Sequence, residues 1–387
     1  MVREIKTNSR MRDCWDALNF VCCFEFWRMA VFWTLALVRS YLELSSRAFF
    51  YRIPHFYPRC SPPTLTSISE TKAPTRPLCI ITGATSGLGA ASAHALSREG
   101  FYVVLAGRSS HLLSKTVEEI KKQDADAHLK AFQVDLSCFQ SIINFKNAFE
   151  RWLSNSNMHP SVQVLINNAG IFATSCRFTS EGYDQMMGTN YIGAFALTNL
   201  LLPLLRSSPV PSRIVNVTSF THQCVSCTQV DEETLVGKYF SRSKQYRCAH
   251  IYEYSKFCLL LFSYELHRQL YLNDESHKVS VLYVFLNAVD PGFVETNIMR
   301  EVPSYLSQLA LMVIRLLGLL QSPENGVESI VDATLAPPEA SGEYFFGGRG
   351  RTVNSSELSY DPELAEKLWT SSYKLFMKSQ LVSKDVS

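Results

Sequence analysis

Leu78-Cys79-Ile80-Ile81-Thr82-Gly83-Ala84-Thr85-Ser86-Gly87-Leu88-Gly89 is a short apolar run that breaks into a glycine-rich turn, and a helix-compatible stretch follows it. Glycines at a strand-to-helix turn let the backbone approach a pyrophosphate, while the first helical turn offers free N–H groups and a positive dipole end. The same alternation continues downstream. YVVLA, LKAFQV, VQVLI and RIVNV read as strands, each followed by a helical stretch. Strict alternation of strand and helix builds βαβ units, hence a parallel sheet covered on both faces. The expected fold class is therefore α/β: a doubly wound parallel sheet of the Rossmann type, in a single catalytic domain with an N-terminal hydrophobic segment.

A chain of 387 residues with 47% hydrophobic side chains can bury one large α/β core. Its net charge of +2 comes from scattered basic residues, so no nucleic-acid partner is expected. The 11 cysteines lack disulfide-framework spacing and read as free thiols in a reducing compartment.

The chain divides into an N-terminal hydrophobic anchor region (1–52), a Pro-rich linker (53–77), the catalytic domain (78–350) and a C-terminal helical tail (351–387). Ala17 to Val38 is long enough to span a bilayer, with Glu25 and Arg28 placed to pair with one another at i, i+3. An interfacial helix, a soluble docking helix and a targeting peptide are the other readings, and the flanking charges leave topology open.

Thr82, Gly83, Ser86, Gly87, Leu88 and Gly89 form the expected cofactor cradle. The second strand ends at Arg108, where an NAD-preferring site would offer a carboxylate to the ribose 2′-hydroxyl. A guanidinium there suits a 2′-phosphate, so NADP(H) is favoured over NAD. Asp135, ending the third strand, is expected at the adenine edge, and Asn167 in Asn167-Asn168-Ala169-Gly170 beside the cofactor. Further along, Tyr252-Glu253-Tyr254-Ser255-Lys256 puts Tyr252 and Lys256 one helical turn apart, so an ammonium can sit beside a phenol. Tyr254 points elsewhere. A phenol titrates near pH 10, and bringing it to neutrality takes roughly 4 kcal/mol of electrostatic help.

Taken together, these residues resemble the short-chain dehydrogenase/reductase family over about residues 76 to 350. The motifs are TGATSGLG, Asp135, NNAG, Asn190 in GTNYIGAF, Ser219 in IVNVTS, YEYSK, and Asp290-Pro291-Gly292 with Val294 and Thr296. Within it the chain is similar to the retinol-dehydrogenase-like branch, most of all to the X-chromosome-linked dehydrogenase/reductase and plant forever-young types. The resemblance implies a catalytic tetrad of Asn190, Ser219, Tyr252 and Lys256. It also implies cofactor contacts from Lys256, Pro291, Gly292 and Val294, with Thr296 near the carboxamide, and a water held by Asn190. Thr218 is a competing hydroxyl, but strand alternation sends neighbours to opposite faces.

Two stretches depart from the pattern. The long run from Ser219 to Tyr252 reads as a flap, and its His222, Cys224, Cys227, Cys248 and His250 allow a zinc reading, although free thiols and no metal are expected. Val279 to Asp290 is longer than usual ahead of Pro291, which a bulge or longer strand would have to absorb. Tyr305 to Leu320 is almost wholly apolar and reads as a substrate lid touching lipid, or as core packing. The expected function is NADP(H)-dependent hydride transfer on a hydrophobic alcohol or carbonyl, of the retinoid, sterol, polyprenoid or fatty aldehyde class. The alternative is a catalytically weak, cofactor-binding scaffold. A membrane location is expected, endoplasmic reticulum or plastid, and a homodimer is compatible with the sequence.

Overall fold

In the computed structural model the described residues are 18, 20–50, 56–65, 76–156, 158–241, 245–275 and 284–385. Seven strands form one parallel sheet: β1 (Leu78–Thr82), β2 (Tyr102–Gly107), β3 (Leu129–Gln133), β4 (Val164–Asn167), β5 (Ser212–Val217), β6 (Val284–Asp290) and, after a small two-stranded sheet of β7 (Phe293–Val294) and β8 (Leu320–Gln321), β9 (Tyr344–Phe346). Their order is β3-β2-β1-β4-β5-β6-β9. All of β1, β4 and β5 is buried. That is why these runs are largely apolar without a two-residue alternation. Helices cover both faces, and a hydrophobic cluster fills each side of the sheet.

Strand order reverses between β1 and β4, and a crevice opens at the carboxyl ends of the strands at such a switch point. Everything that positions the site follows from this. The glycine turn leaves β1, Asn168 to Phe172 leave β4, Thr218 to Thr221 leave β5, and Asp290 to Gly292 end β6. The helix Cys248–Glu275 packs beneath, carrying Tyr252 and Lys256. β6 is a regular strand, paired with β5 over six residues and with β9 over three. The irregularity expected at Val279 to Asp290 is thus absent from 284–290, and 279–283 lie outside the described residues.

The N-terminal segment is arranged differently from a bilayer span. Phe24–Trp27, Arg28–Trp33 and Thr34–Phe50 run as one helix with a π turn in the middle, laid across the helix Cys248–Glu275. Glu25 and Arg28 do not pair with one another, because each has a better partner on that helix. Glu25 accepts from the backbone N–H of Ala249 (2.8 Å) and contacts His250 Nδ1 (2.9 Å), while Arg28 meets the buried carboxylate of Glu253 at 2.7–3.0 Å. Met29, Trp33, Ala36, Leu37 and Leu44 join the main hydrophobic core. The opposite face, with Phe24, Trp27, Val31, Phe32, Leu35 and Leu42, is exposed. Among the described residues one helix, Gln185–Arg206, is long and apolar enough to cross a membrane, but it packs into the core, 67% buried.

Of the Pro-rich stretch that follows, residues 56–65 are docked on the domain. Tyr57 N–H donates to Gly350 O (2.8 Å) and Arg59 binds Asp332 (2.6 Å). Downstream of Thr296, the helix Ser304–Leu316 buries only Ile314 and exposes Tyr305, Leu309, Met312, Val313 and Leu316, so core packing does not account for its apolar composition.

Candidate active site

A cleft of about 830 Å³ runs across the carboxyl ends of the strands. One end is the glycine turn. Gly83 adopts φ +66°, and a Cβ at Gly89 would run into the carbonyl oxygen of Gly83, so backbone and helix can pack this tightly only with glycine there. The helix Gly87–Arg98 starts with no side chain capping its first turn, which leaves its N–H groups facing the cleft. Thr82, wholly buried, steadies the turn. Its hydroxyl accepts from the N–H groups of Asn168 and Ala169 (3.0 Å each) and donates to Ile166 O (3.2 Å).

Thr82, Gly83, Ser86, Gly87, Leu88, Gly89, Arg108, Lys256, Pro291, Gly292, Val294 and Thr296 all line this cleft. Two expected contacts do not. Asn167 ends β4 with its side chain in the core, donating to Thr198 (2.9 Å) and Asn216 (2.8 Å), and its neighbour Asn168 takes the cleft side. Strand alternation held the signal for that exchange. The carboxylate of Asp135 is engaged by the N–H and hydroxyl of Ser137 (2.9 and 2.7 Å), while Val134 and Leu136 on either side face the cleft. No carboxylate is present at the end of β2, where Arg108 lies at the rim.

The other end of the cleft gathers Ser219, Tyr252 and Lys256. Ser219 favours the ionised form of the Tyr252 phenol, against the larger effect of burial. Thr218, the competing hydroxyl, donates instead to the backbone carbonyl of Lys256 (3.0 Å) and so ties strand to helix. His222 supports the same turn from behind. Fully buried and pushed down to about 4 by burial, it is neutral, with Nδ1 on Ser219 O (2.7 Å) and Nε2 accepting from Ser356 N–H (3.1 Å). Lys256 Nζ donates to Val217 O (2.9 Å) and lies 5.9 Å from the Tyr252 ring centre. Asn190 sits behind the cleft in a second π turn, Gly188–Ile192. It accepts from Ile171 N–H (2.8 Å) and donates to Ser255 Oγ (3.1 Å), whose hydroxyl donates to Tyr252 O (2.8 Å). A widened turn of this kind commonly marks a functional position.

Electrostatics here are set by burial first. Desolvation pushes Tyr252 above its usual range and brings Lys256 down to about 8. Asp290, at the end of β6, is pushed up to about 6 by burial, against the pull of the Gly292 N–H (2.9 Å) and the Tyr344 hydroxyl (3.0 Å). Its negative charge raises both Tyr252 and Lys256. Within the protein alone, then, the lysine does not make the phenol acidic, and further positive charge in the cleft is needed to do so.

The aromatic wall was not foreseen. Trp33, from the N-terminal helix, and Phe172 line the cleft beside Tyr252, together with Phe293, Ile298 and Met299. Nothing in the local sequence of Trp33 indicates that its helix folds back 219 residues along the chain to reach Tyr252. Among the described residues no group of three His, Cys, Asp or Glu side chains is gathered to hold a metal ion, and the Cys224 thiol contacts Phe32 O (3.4 Å).

Asp290 yields a signed prediction. Its folded-state value of about 6 lies above the roughly 4 of an unfolded aspartate, so the native state holds the extra proton between these values and stability falls as pH rises through that window. Asp290→Asn removes this slope. Its stability relative to the native sequence should grow from about pH 4 to pH 6, reaching on the order of 2–3 kcal/mol, then stay level. Chemical denaturation at stepped pH checks this, and a difference that stays flat across the window counts against it.

The sequence profile of the family described as short chain dehydrogenase matches residues 78–227. Human polyprenol dehydrogenase is 32% identical over 312 residues, covering 79% of this chain and 87% of that protein. Mouse retinol dehydrogenase 13 is 30% identical over 300 residues, covering 76% and 82%. A crystal structure of an uncharacterized protein from Mycobacterium paratuberculosis superposes with a TM-score of 0.56 at 27% identity, covering 81% of this chain and 96% of that one. With its glycine turn, its switch-point cleft and these relatives, the chain belongs to the short-chain dehydrogenase/reductase family, in the retinol-dehydrogenase-like branch, and is an oxidoreductase acting on CH–OH and C=O groups with a nicotinamide cofactor.

Proposed function

We propose that this protein transfers hydride between NADP(H) and a hydrophobic alcohol or carbonyl of the polyprenoid, retinoid, sterol or fatty aldehyde class, at a membrane surface. The observation that carries this reading is the convergence of Tyr252, Ser219 and Lys256 on the same cleft as the glycine turn. The residues suit a dinucleotide: glycines permit close approach, the uncapped helix start offers N–H groups to a pyrophosphate, and Arg108 offers a cation at the ribose end. When bound, the reduced nicotinamide supplies the hydride, and its oxidised form the positive charge that Tyr252 lacks.

In the reductive direction Tyr252 donates its phenolic proton to the substrate oxygen, which becomes the hydroxyl, and the oxidative direction reverses this. Ser219 holds that oxygen by a hydrogen bond. Lys256, cationic below its lowered value of about 8, favours the phenolate left behind. Asn190 fixes the helical turn through Ser255, which holds Tyr252 at its carbonyl. The apolar lining from Phe172, Phe293, Ile298 and Met299 suits a hydrocarbon rather than a sugar or acid. Relatives named for polyprenol and retinol support the same class.

Membrane contact, in this reading, comes from the outer face of the N-terminal helix and the exposed helix Ser304–Leu316, which offer Trp27, Phe32, Leu35, Leu309, Met312 and Leu316 to a lipid surface. The setting is an endomembrane such as the endoplasmic reticulum, with the domain on the reducing side, or a plastid membrane.

Tyr252→Phe should lower turnover of lipophilic aldehydes by roughly 10²- to 10⁴-fold while NADPH still binds; turnover that survives the change would remove Tyr252 from the reaction. Arg108→Ala should cut the preference for NADP over NAD by about tenfold or more, the worth of a lost charge-assisted bond. Equal preference ratios in both proteins would return the cofactor choice to other residues. Finally, the full chain should float with phosphatidylcholine and phosphatidylethanolamine liposomes, and Trp27→Glu with Leu35→Glu should leave most of it at the bottom of the gradient. Co-flotation unaffected by these charges contradicts the assigned face.

A further inference from the structure

We propose that Trp33 is a substrate-specificity residue, and that the N-terminal helix carrying it is a wall of the active site. The inference rests on the reading above, in which Tyr252 serves an alcohol or carbonyl, and adds a residue from outside the nucleotide-binding fold.

Three rings surround the reacting position. The indole of Trp33 lies 5.5 Å from the Tyr252 ring, tilted by 40°, and 5.7 Å edge-on from Phe172. Phe172 in turn meets Tyr252 edge to face at 5.5 Å. Trp33 and Phe172 line the cleft beside Tyr252, so a substrate oxygen bonded to Tyr252 brings its attached carbons against them.

What Trp33 presents there is carbon and π surface. Its only donor, Nε1–H, points away and is bound to Glu253 Oε1 at 2.7 Å. The indole is also held rigidly. Arg28 and Trp33 stand at either end of the π turn Arg28–Trp33, whose i→i+5 bonding brings residues five apart round to nearly the same side, and both reach the one carboxylate of Glu253. Further along, Ser40 accepts from Gln223 (2.9 Å) and the Tyr41 hydroxyl from Gln321 (2.5 Å), fastening the helix to the segment after Ser219 and to β8. A fixed aromatic ring beside the reacting atom favours flat, unsaturated carbon there over saturated chain.

The test uses the full chain in detergent with saturating NADPH, comparing all-trans-retinal with hexadecanal. Trp33→Ala should reduce the retinal-to-hexadecanal ratio of kcat/KM by about tenfold or more, the scale on which apolar pocket contacts discriminate. The loss should appear mainly in KM, with NADPH affinity intact. Trp33→Phe, which keeps a ring but no donor, should hold the ratio, and Trp33→Leu, which keeps bulk but no ring, should lose it. A parallel titration follows retinol fluorescence with NADP⁺ present and needs no turnover. Weaker retinol binding in the Leu and Ala variants of a protein that turns nothing over would sink the catalytic reading and leave this one standing. Ratios and retinol affinities that are the same in the native, Phe and Leu proteins overturn it, as does a native protein that binds no retinol. Should Trp33→Ala fail to bind NADPH, the Phe and Leu pair decides.

Discussion

Glu253 is the constraint on which the rest of the arrangement depends. It follows Tyr252 on a helix whose one face must reach the cleft, so its own side chain is turned about 100° away, into the interior. There it has no access to water. A buried carboxylate without a partner is so costly that it would be protonated or the helix displaced. Burial does push Glu253 upward, and the hydrogen bonds and positive charge of Arg28, with the Trp33 N–H, oppose it. Among the described residues its hydrogen-bond partners, Arg28 and Trp33, both come from the N-terminal helix. Docking of that helix and placement of the Tyr252 phenol are therefore one problem with one solution, and the aromatic wall beside Tyr252 is its by-product.

The cleft shows the opposite use of a buried charge. Asp290 is held by Gly292 and Tyr344 close to two groups it perturbs, and its carboxylate offsets part of what burial does to Lys256. Desolvation alone would lower the lysine further and weaken its charge. The same negative field keeps the phenol protonated until positive charge enters the cleft. Tyr252 thus keeps its proton in the protein alone, which suits the acid and base role proposed for it.

Most of the fold was legible, because β1, β2, β4 and β5 are buried on both faces and read as largely apolar runs between turn residues. The glycine turn was legible for a related reason: only glycine permits the contact between Gly83 and Gly89. The nearness of Tyr252 to Lys256 followed from helical spacing, whereas Ser219 rather than Thr218 came from the family resemblance. What failed was local in cause. Asn167 was assigned one residue away from Asn168 because the end of a four-residue strand fixes which side chain turns outward, and a motif does not carry that register. Asp135 was placed by its position at a strand end, yet two bonds from Ser137 keep its carboxylate beside the chain.

The reading of the N-terminal helix stayed open between a span, an interfacial helix and a docking helix for a deeper reason. Apolar composition reports that a surface will be covered, and it does not report by what. In Phe24–Phe50 the distinction lay in the charged residues. Glu25 and Arg28, one turn apart, looked like a pair that would cancel inside a bilayer, whereas Glu25 satisfies the start of the catalytic helix and Arg28 neutralises Glu253. A charge within an apolar helix is as strong a sign of a protein partner as of a tolerated defect in a membrane span. The odd charge to explain was Glu253, two hundred residues away in a stretch chosen for its tyrosine, and an acid beside a catalytic tyrosine on a buried helix calls for a cation from elsewhere in the chain. Only when both halves are considered together does the apolar segment divide into an inner face packed against Glu253 and Tyr252 and an outer face that stays exposed.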